Sequence, residues 1–211
     1  LKSFIMNFKT FASVTAVLAT TIAVSGVNSA AQAATIFSNS GIQFDTDTLV
    51  NFSFLSSQGA YTSSLKIFQT QNLSQAVATL FSEVKPSDNG AANDWRGTFG
   101  NAVTSATGSN PVAFLFKAGT SYTLGLDSGV NGLVYSTNNL NSSATQQAAF
   151  SGNLFAGGST IWFDDRGAGN DKDFNDFGVT AQAVPEPLTM GGLALAGAGL
   201  AYARRRRQQA M

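Results

Sequence analysis

Between residues 36 and 183 the apolar positions recur at every second residue. Val50, Phe52 and Phe54 alternate with Asn51 and Ser53. Val112, Phe114 and Phe116 alternate with Ala113, Leu115 and Lys117, and Tyr122, Leu124 and Leu126 follow. A period of two sends successive side chains to opposite faces of a strand. Asn131-Gly132 separates that last run from Leu133-Val134-Tyr135. Both residues tolerate positive φ, so a tight hairpin is expected there. Residues 160–163 and Phe177–Ala183 complete the runs. Short alternating segments separated by Gly, Ser and Asn predict an antiparallel β-sandwich, jelly-roll-like in type. The 17 phenylalanines supply the bulk of its core. One stretch departs from the pattern. Leu73, Val77, Leu80, Phe81 and Val84 fall at i, i+4, i+7, i+8 and i+11, which predicts one short helix capped by Asn72 or Ser74. Residues 85–97 are polar and read as a long loop.

The two ends follow other rules. Lys2 and Lys9 precede an uncharged, mostly apolar run over residues 11–27. Ala31-Gln32-Ala33 then gives a small-x-small cleavage signature, so residues 1–33 read as a helical signal peptide with the mature chain starting at Ala34. A retained N-terminal anchor is the alternative. At the other end Pro185 and Pro187 bracket Glu186, and alternate prolines forbid helix and strand alike. Residues 188–203 carry no charge and would make a helix of roughly 24 Å, short against a hydrocarbon core of about 30 Å. Arg204, Arg205, Arg206 and Arg207 form an abrupt cationic stop, which places the preceding chain outside the cytoplasm. The expected division is a signal peptide at 1–33, an exported β-domain at 34–183 and a C-terminal tail with a transmembrane helix at 184–211.

Pro185-Glu186-Pro187, the short Gly/Ala/Leu span and the terminal arginines together resemble the PEP-CTERM sorting tail of exported bacterial proteins. The resemblance implies a Gram-negative-type host, an exosortase-type membrane protease as partner, and an anchored intermediate on the way to the cell surface or medium. An ordinary C-terminal anchor with a proline stalk is the alternative.

Charge and composition narrow the function. The zero formal balance hides an acidic domain: once both ends are set aside, six basic and eleven acidic side chains leave −5. An acidic domain without a basic patch argues against a nucleic-acid partner. There is no cysteine, so no disulfide can staple an exported fold. There is no histidine, which removes the commonest general base and the commonest zinc ligand. A metal site would then be built from oxygen and hold calcium or magnesium.

The densest polar stretch is residues 163–179, with Asp164, Asp165, Asp171, Asp173 and Asp176 interleaved with Asn170 and Asn175. Like charges this close repel unless neutralised, and Arg166, Lys172 or a bound cation would do so. Asp171, Asp173 and Asn175 keep the 1-3-5 spacing of a calcium loop. The glycine of the sixth position is replaced by Asp176 and the glutamate of the twelfth by Gln182, so no EF-hand is present. Two expectations stand side by side: a calcium site made by Asp164, Asp165, Asp171, Asp173, Asn175 and Asp176, and an Asx-rich turn in which those side chains bond nearby amides. The same residues, Phe163-Asp164-Asp165 and then Asp171-Lys172-Asp173-Phe174-Asn175-Asp176, resemble the F-E-D … D-R-D-Y-N-D signature of an uncharacterised exported β-domain family, whose members often precede a PEP-CTERM tail.

Catalytic patterns are missing. Adjacent Asp164 and Asp165 on a strand would point to opposite faces and could not flank one bond. A serine nucleophile has no histidine, and no G-x-S-x-G, phosphate loop or G-x-G-x-x-G occurs. The expected function is a non-enzymatic surface or matrix protein, structural or adhesive, in contact with extracellular polysaccharide or neighbouring proteins. A calcium-dependent carbohydrate-binding module using residues 164–176 is the alternative.

Overall fold

Alternating apolar and polar positions build strands throughout the domain. The computed structural model describes residues 35–59, 61–84, 95–165 and 172–185. The described chain is mainly β, with two antiparallel sheets and only three one-turn 3-10 segments. The first sheet contains β1 (Ile36–Ser38), β2 (Gly41–Gln43), β4 (Ser64–Gln69), β5 (Asn72–Glu83), β7 (Val103–Thr104), β9 (Tyr122–Asp127) and β10 (Leu133–Tyr135). Its order is β1-β2-β9-β4-β5-β7, with β10 also on β9. The second contains β3 (Thr48–Gln58), β6 (Trp95–Gly97), β8 (Val112–Phe116), β11 (Ala148–Asn153), β12 (Gly158–Phe163) and β13 (Phe177–Ala183). Its order is β11-β12-β13-β3-β6, with β8 also on β3.

The inner faces share one core. Phe52, Phe116, Phe163 and Phe177 of the second sheet are fully buried, as are Leu65, Ile67, Leu80, Phe81 and Leu124 of the first. Rings bridge the sheets directly: Phe54 meets Phe81 at 5.8 Å between centroids, and Phe116 meets Tyr122 edge-on at 5.1 Å. Two antiparallel sheets around one aromatic core fit the expected sandwich. The runs at 50–54, 112–116, 122–126, 133–135, 160–163 and 177–183 all become strands, and the last has the expected bounds.

The expected helix over residues 73–84 is overturned: all but Val84 of those residues lie in strand β5. Its pairing with β4 is broken by register shifts that leave Leu80 and Val77 without opposite partners. Each such bulge inserts one residue and changes the face of those beyond it. Leu80 and Phe81 are therefore both buried, while Val77 and Val84 are exposed at 46% and 61%. Apolar spacing that looked helical was a strand with insertions. The expected hairpin at Asn131-Gly132 is also altered. β9 and β10 do pair, but their connection is a 3-10 turn over Gly129–Asn131, closed by Ser128 N donating to Gly132 O at 2.9 Å. The polar loop at 85–97 ends in strand β6, which pairs with the end of β3.

Candidate functional site

The acidic stretch begins where β12 ends. Ser159, Ile161 and Phe163 point inward, and the alternation then breaks. Asp164 and Asp165 are consecutive, yet both are buried, at 0% and 4% exposure. They lie beyond the pleat, so the opposite-face rule does not bind them. Asp164 N donates to Gln147 O at 3.1 Å, and Asp165 N donates to Asp176 Oδ2 at 2.8 Å. Asp176 N donates to Phe163 O, and Gln58 N donates to Asp176 O. Asp176 thus ties the connection between β12 and β13 to the end of β3. Gly59 permits the approach: its φ is +88°, and a Cβ there would stand 2.8 Å from Asp176 Oδ1.

Two residues from elsewhere complete the cluster. Arg96, on β6, is fully buried and its Nε donates to Gly59 O at 3.1 Å. Glu83 ends β5 in the other sheet, is 6% exposed, and accepts Ser63 N on Oε2 at 2.6 Å. Arg96 and Asp165 both act on the Glu83 charge. A register shift against β13 leaves Leu55 as the extra residue of β3 and turns Ser57 inward beside Glu83. The two sheets therefore meet, at one end, in a joint where Glu83 of one sheet lies within the electrostatic reach of Arg96 and Asp165 of the other.

Burial sets the acidities. It raises the Glu83 carboxyl above its ordinary value, against the opposing pull of the Ser57 hydroxyl, the Ser63 amide and Arg96. It also raises Asp176, pushed up to about 7, with Asp165, Asp173 and Asp164 adding repulsion and the Asp165 amide opposing.

The structure brings Asp164, Asp165 and Asp176 together. Asp173 and Asn175 instead bond each other, Asn175 Nδ2 donating to Asp173 Oδ2, on the more open side of the connection. Lys172 is exposed, and both Lys172 and Phe174 have positive φ, at 60° and 52°. Residues with a β-carbon seldom adopt that backbone, so the surroundings hold residues 172–174 in place. Asp171 and Arg166 lie outside the described residues. Among the described residues, no three acidic side chains are placed to hold a metal ion. Arg96 and Glu83 were not foreseen. A lone basic residue between Trp95 and Gly97, in a domain with few cations, was the available signal for the first.

A cleft of about 440 Å³ opens at the far end of β3, lined by Asp47, Leu49, Phe155, Val184 and Pro185 among others. Here the chain leaves the last strand, Val184 N donating to Leu49 O at 2.8 Å, and Pro185 is exposed. Ala31, Ala33 and Ala34 of the expected cleavage site lie outside the described residues, as do Glu186, Pro187 and Arg204 to Arg207. Among the described residues no helix is long and apolar enough to cross a membrane. The span expected at 188–203 lies outside them.

No protein family, curated protein or solved structure matches this chain. What the joint can do follows from its own groups: Arg96 and Ser57 of one sheet act on Glu83 of the other, and Asp176, pushed up to about 7, can take up or release a proton near neutral pH.

Proposed function

We propose that the chain is an exported, non-enzymatic surface or matrix protein of a Gram-negative-type bacterium. Its jelly-roll-like domain acts by adhesion, and its tail is read by an exosortase-type protease. The observation that carries this is the three-part tail: Pro185-Glu186-Pro187, the uncharged residues 188–203, and Arg204 to Arg207, in that order. The exposed Pro185 beside the end of β13 supports it, because a processing partner needs the start of the tail clear of the domain. The test is the intact mass of the protein from membranes and from medium of the native host. Release of a species that starts at Ala34 and lacks Arg204 to Arg207 is expected, and Glu186→Ala should hold the full-length form in the membrane. Normal release of that variant overturns the sorting function.

A second proposal, calcium-dependent carbohydrate binding through residues 164–176, is favoured by one observation. The Asp176 carboxyl is pushed up to about 7 beside Asp165, Asp173 and Asp164, and a cation at the open side of the connection would relieve that repulsion. Excess calcium should then raise the Tm above its value in chelator. An unchanged Tm removes this second function.

A further inference from the structure

The outer face of the second sheet differs in charge from the domain around it. β3, β8, β11, β12 and β13 contain no Asp, Glu, Lys or Arg, although the domain as a whole is acidic. Alternation assigns the outward positions. Trp162 and Thr160 point out between the buried Ser159, Ile161 and Phe163, and Thr180 and Gln182 point out between the buried Val179, Ala181 and Ala183. On β3, Asn51 and Ser53 point out between the buried Val50, Phe52 and Phe54.

The register aligns these side chains. Ser53 pairs with Thr180, Thr180 with Thr160, and Thr160 with Ser151, so four hydroxyls cross four strands. At about 4.8 Å between strands, the row spans roughly 14 Å. Gln182 and Asn51 pair in the next outward row on one side of it. Trp162 and Gly178 pair on the other side. Gly178 leaves room for the indole, which lies over its Cα so closely that a Cβ there would overlap the ring. The ring is thus laid along the sheet and is partly exposed. Among the described residues, the side chains of Asn51, Ser53, Thr160, Thr180 and Gln182 make no hydrogen bond to the protein.

We infer that this face binds a neutral polysaccharide, with Trp162 stacking on a sugar ring and the Ser/Thr row and the Asn51 and Gln182 amides bonding its hydroxyls. The absence of charge selects this occupant. A polyanion would need lysines or arginines, and a polycation would need carboxylates. A stable protein partner would need a contiguous apolar centre, whereas Leu49, Leu55 and Leu115 stand beside the polar rows rather than within them. A neutral polyol offers an apolar C–H face for an indole and paired hydroxyls for amides, which both donate and accept. The assignment deepens the adhesive function proposed above and rests on it. It needs no calcium and uses none of residues 164–176.

The test is co-sedimentation of the full-length protein, held in a zwitterionic detergent, with three probes: cellulose, insoluble galactomannan and calcium alginate gel. Retention on a neutral probe, unchanged by chelator, is expected. Trp162→Ala should weaken it by about tenfold or more, as loss of an aromatic anchor does. Because that variant also uncovers Gly178, Gln182→Glu serves as the second variant. It places a charge on the exposed face, should leave the Tm unchanged, and should weaken retention similarly. Failure of folded wild-type protein to bind either neutral probe overturns the inference, as does binding that ignores both variants or binding to alginate alone. If both variants are exported and stay attached to the matrix, the face is wrong and the adhesive function stands.

Discussion

The two sheets share a core but treat their outer faces in opposite ways. On the first sheet the chain covers its own work. Phe68 is 4% exposed and meets Tyr135 edge-on at 5.7 Å, with Gly125 and Leu133 packed against it. Thr123 is buried and its hydroxyl shares a hydrogen bond with Ser136. Asn141 accepts Tyr135 N at 2.8 Å and donates to Tyr135 O and Thr145 O, fastening the segment after β10. On the second sheet the side chains of Asn51, Ser53, Thr160, Thr180 and Gln182 have no such partners among the described residues, and a single indole is the largest cover. Buried polar groups on the first face, Thr123 and Ser136 among them, are bonded within the protein, whereas the row of hydroxyls and amides on the second face is left open to a ligand. A buried polar group must find its partner within the fold, whereas an exposed one can wait for a ligand.

A glycine on each face gives the largest test of that difference. A Cβ on Gly125 would stand 2.7 Å from the Phe68 ring and 3.0 Å from Leu133 Cδ1, both held by surrounding chain. Gly125→Ala should cost about 1–3 kcal/mol, as overpacking of a closed site does. A Cβ on Gly178 would overlap Trp162 more severely, yet that ring can swing into solvent. Gly178→Ala should therefore cost less in a chemical melt while shifting Trp emission to the red. Equal losses at the two sites would break the comparison, because both faces would then be closed.

These faces were unequally legible beforehand. Phe177–Ala183 could be read almost to the residue, because its apolar alternation is uninterrupted, Asp176 precedes it and Pro185 stops it just beyond Val184. β5 could not, because its pairing shifts at Val77 and Leu80 convert a period of two into a helical spacing. β1, β2 and β7 are too short for a period to show. The acidic stretch was visible as charge density, and Asp164, Asp165 and Asp176 do converge. Its counter-charge was not visible. Arg96 is brought to that end of the sandwich by the pairing of β6 with the end of β3, and acts there on Glu83 of the other sheet, which feels Asp165 as a like charge. Such long-range partners leave no local pattern. The uncharged strands β3, β8, β11, β12 and β13 were present in the letters, but their rows depend on register, which composition does not reveal.

The joint between the sheets should separate from both faces in its response to pH. The folded Asp176 carboxyl is pushed from 3.8 up to about 7, and burial raises Glu83 as well. Between those values the folded protein holds protons that the unfolded chain has already released. The contribution of these two carboxyls to stability is thus fullest at acidic pH and is lost as pH rises toward 7. Asp176→Asn can still accept the Asp165 amide but cannot ionise, so its Tm should change less between pH 4 and 7 than that of the wild type, in chelator throughout. Glu83→Gln should flatten the profile by a smaller amount, since Arg96 and two hydrogen bonds already offset its burial. Gly125→Ala and Gly178→Ala should move the whole profile without changing its slope, because neither adds or removes a titratable group and each added Cβ would lie on an outer face. A slope changed by either glycine variant would mean that the covered and open faces are coupled through the charged end, and the contrast between them would then belong to the whole sandwich rather than to each sheet.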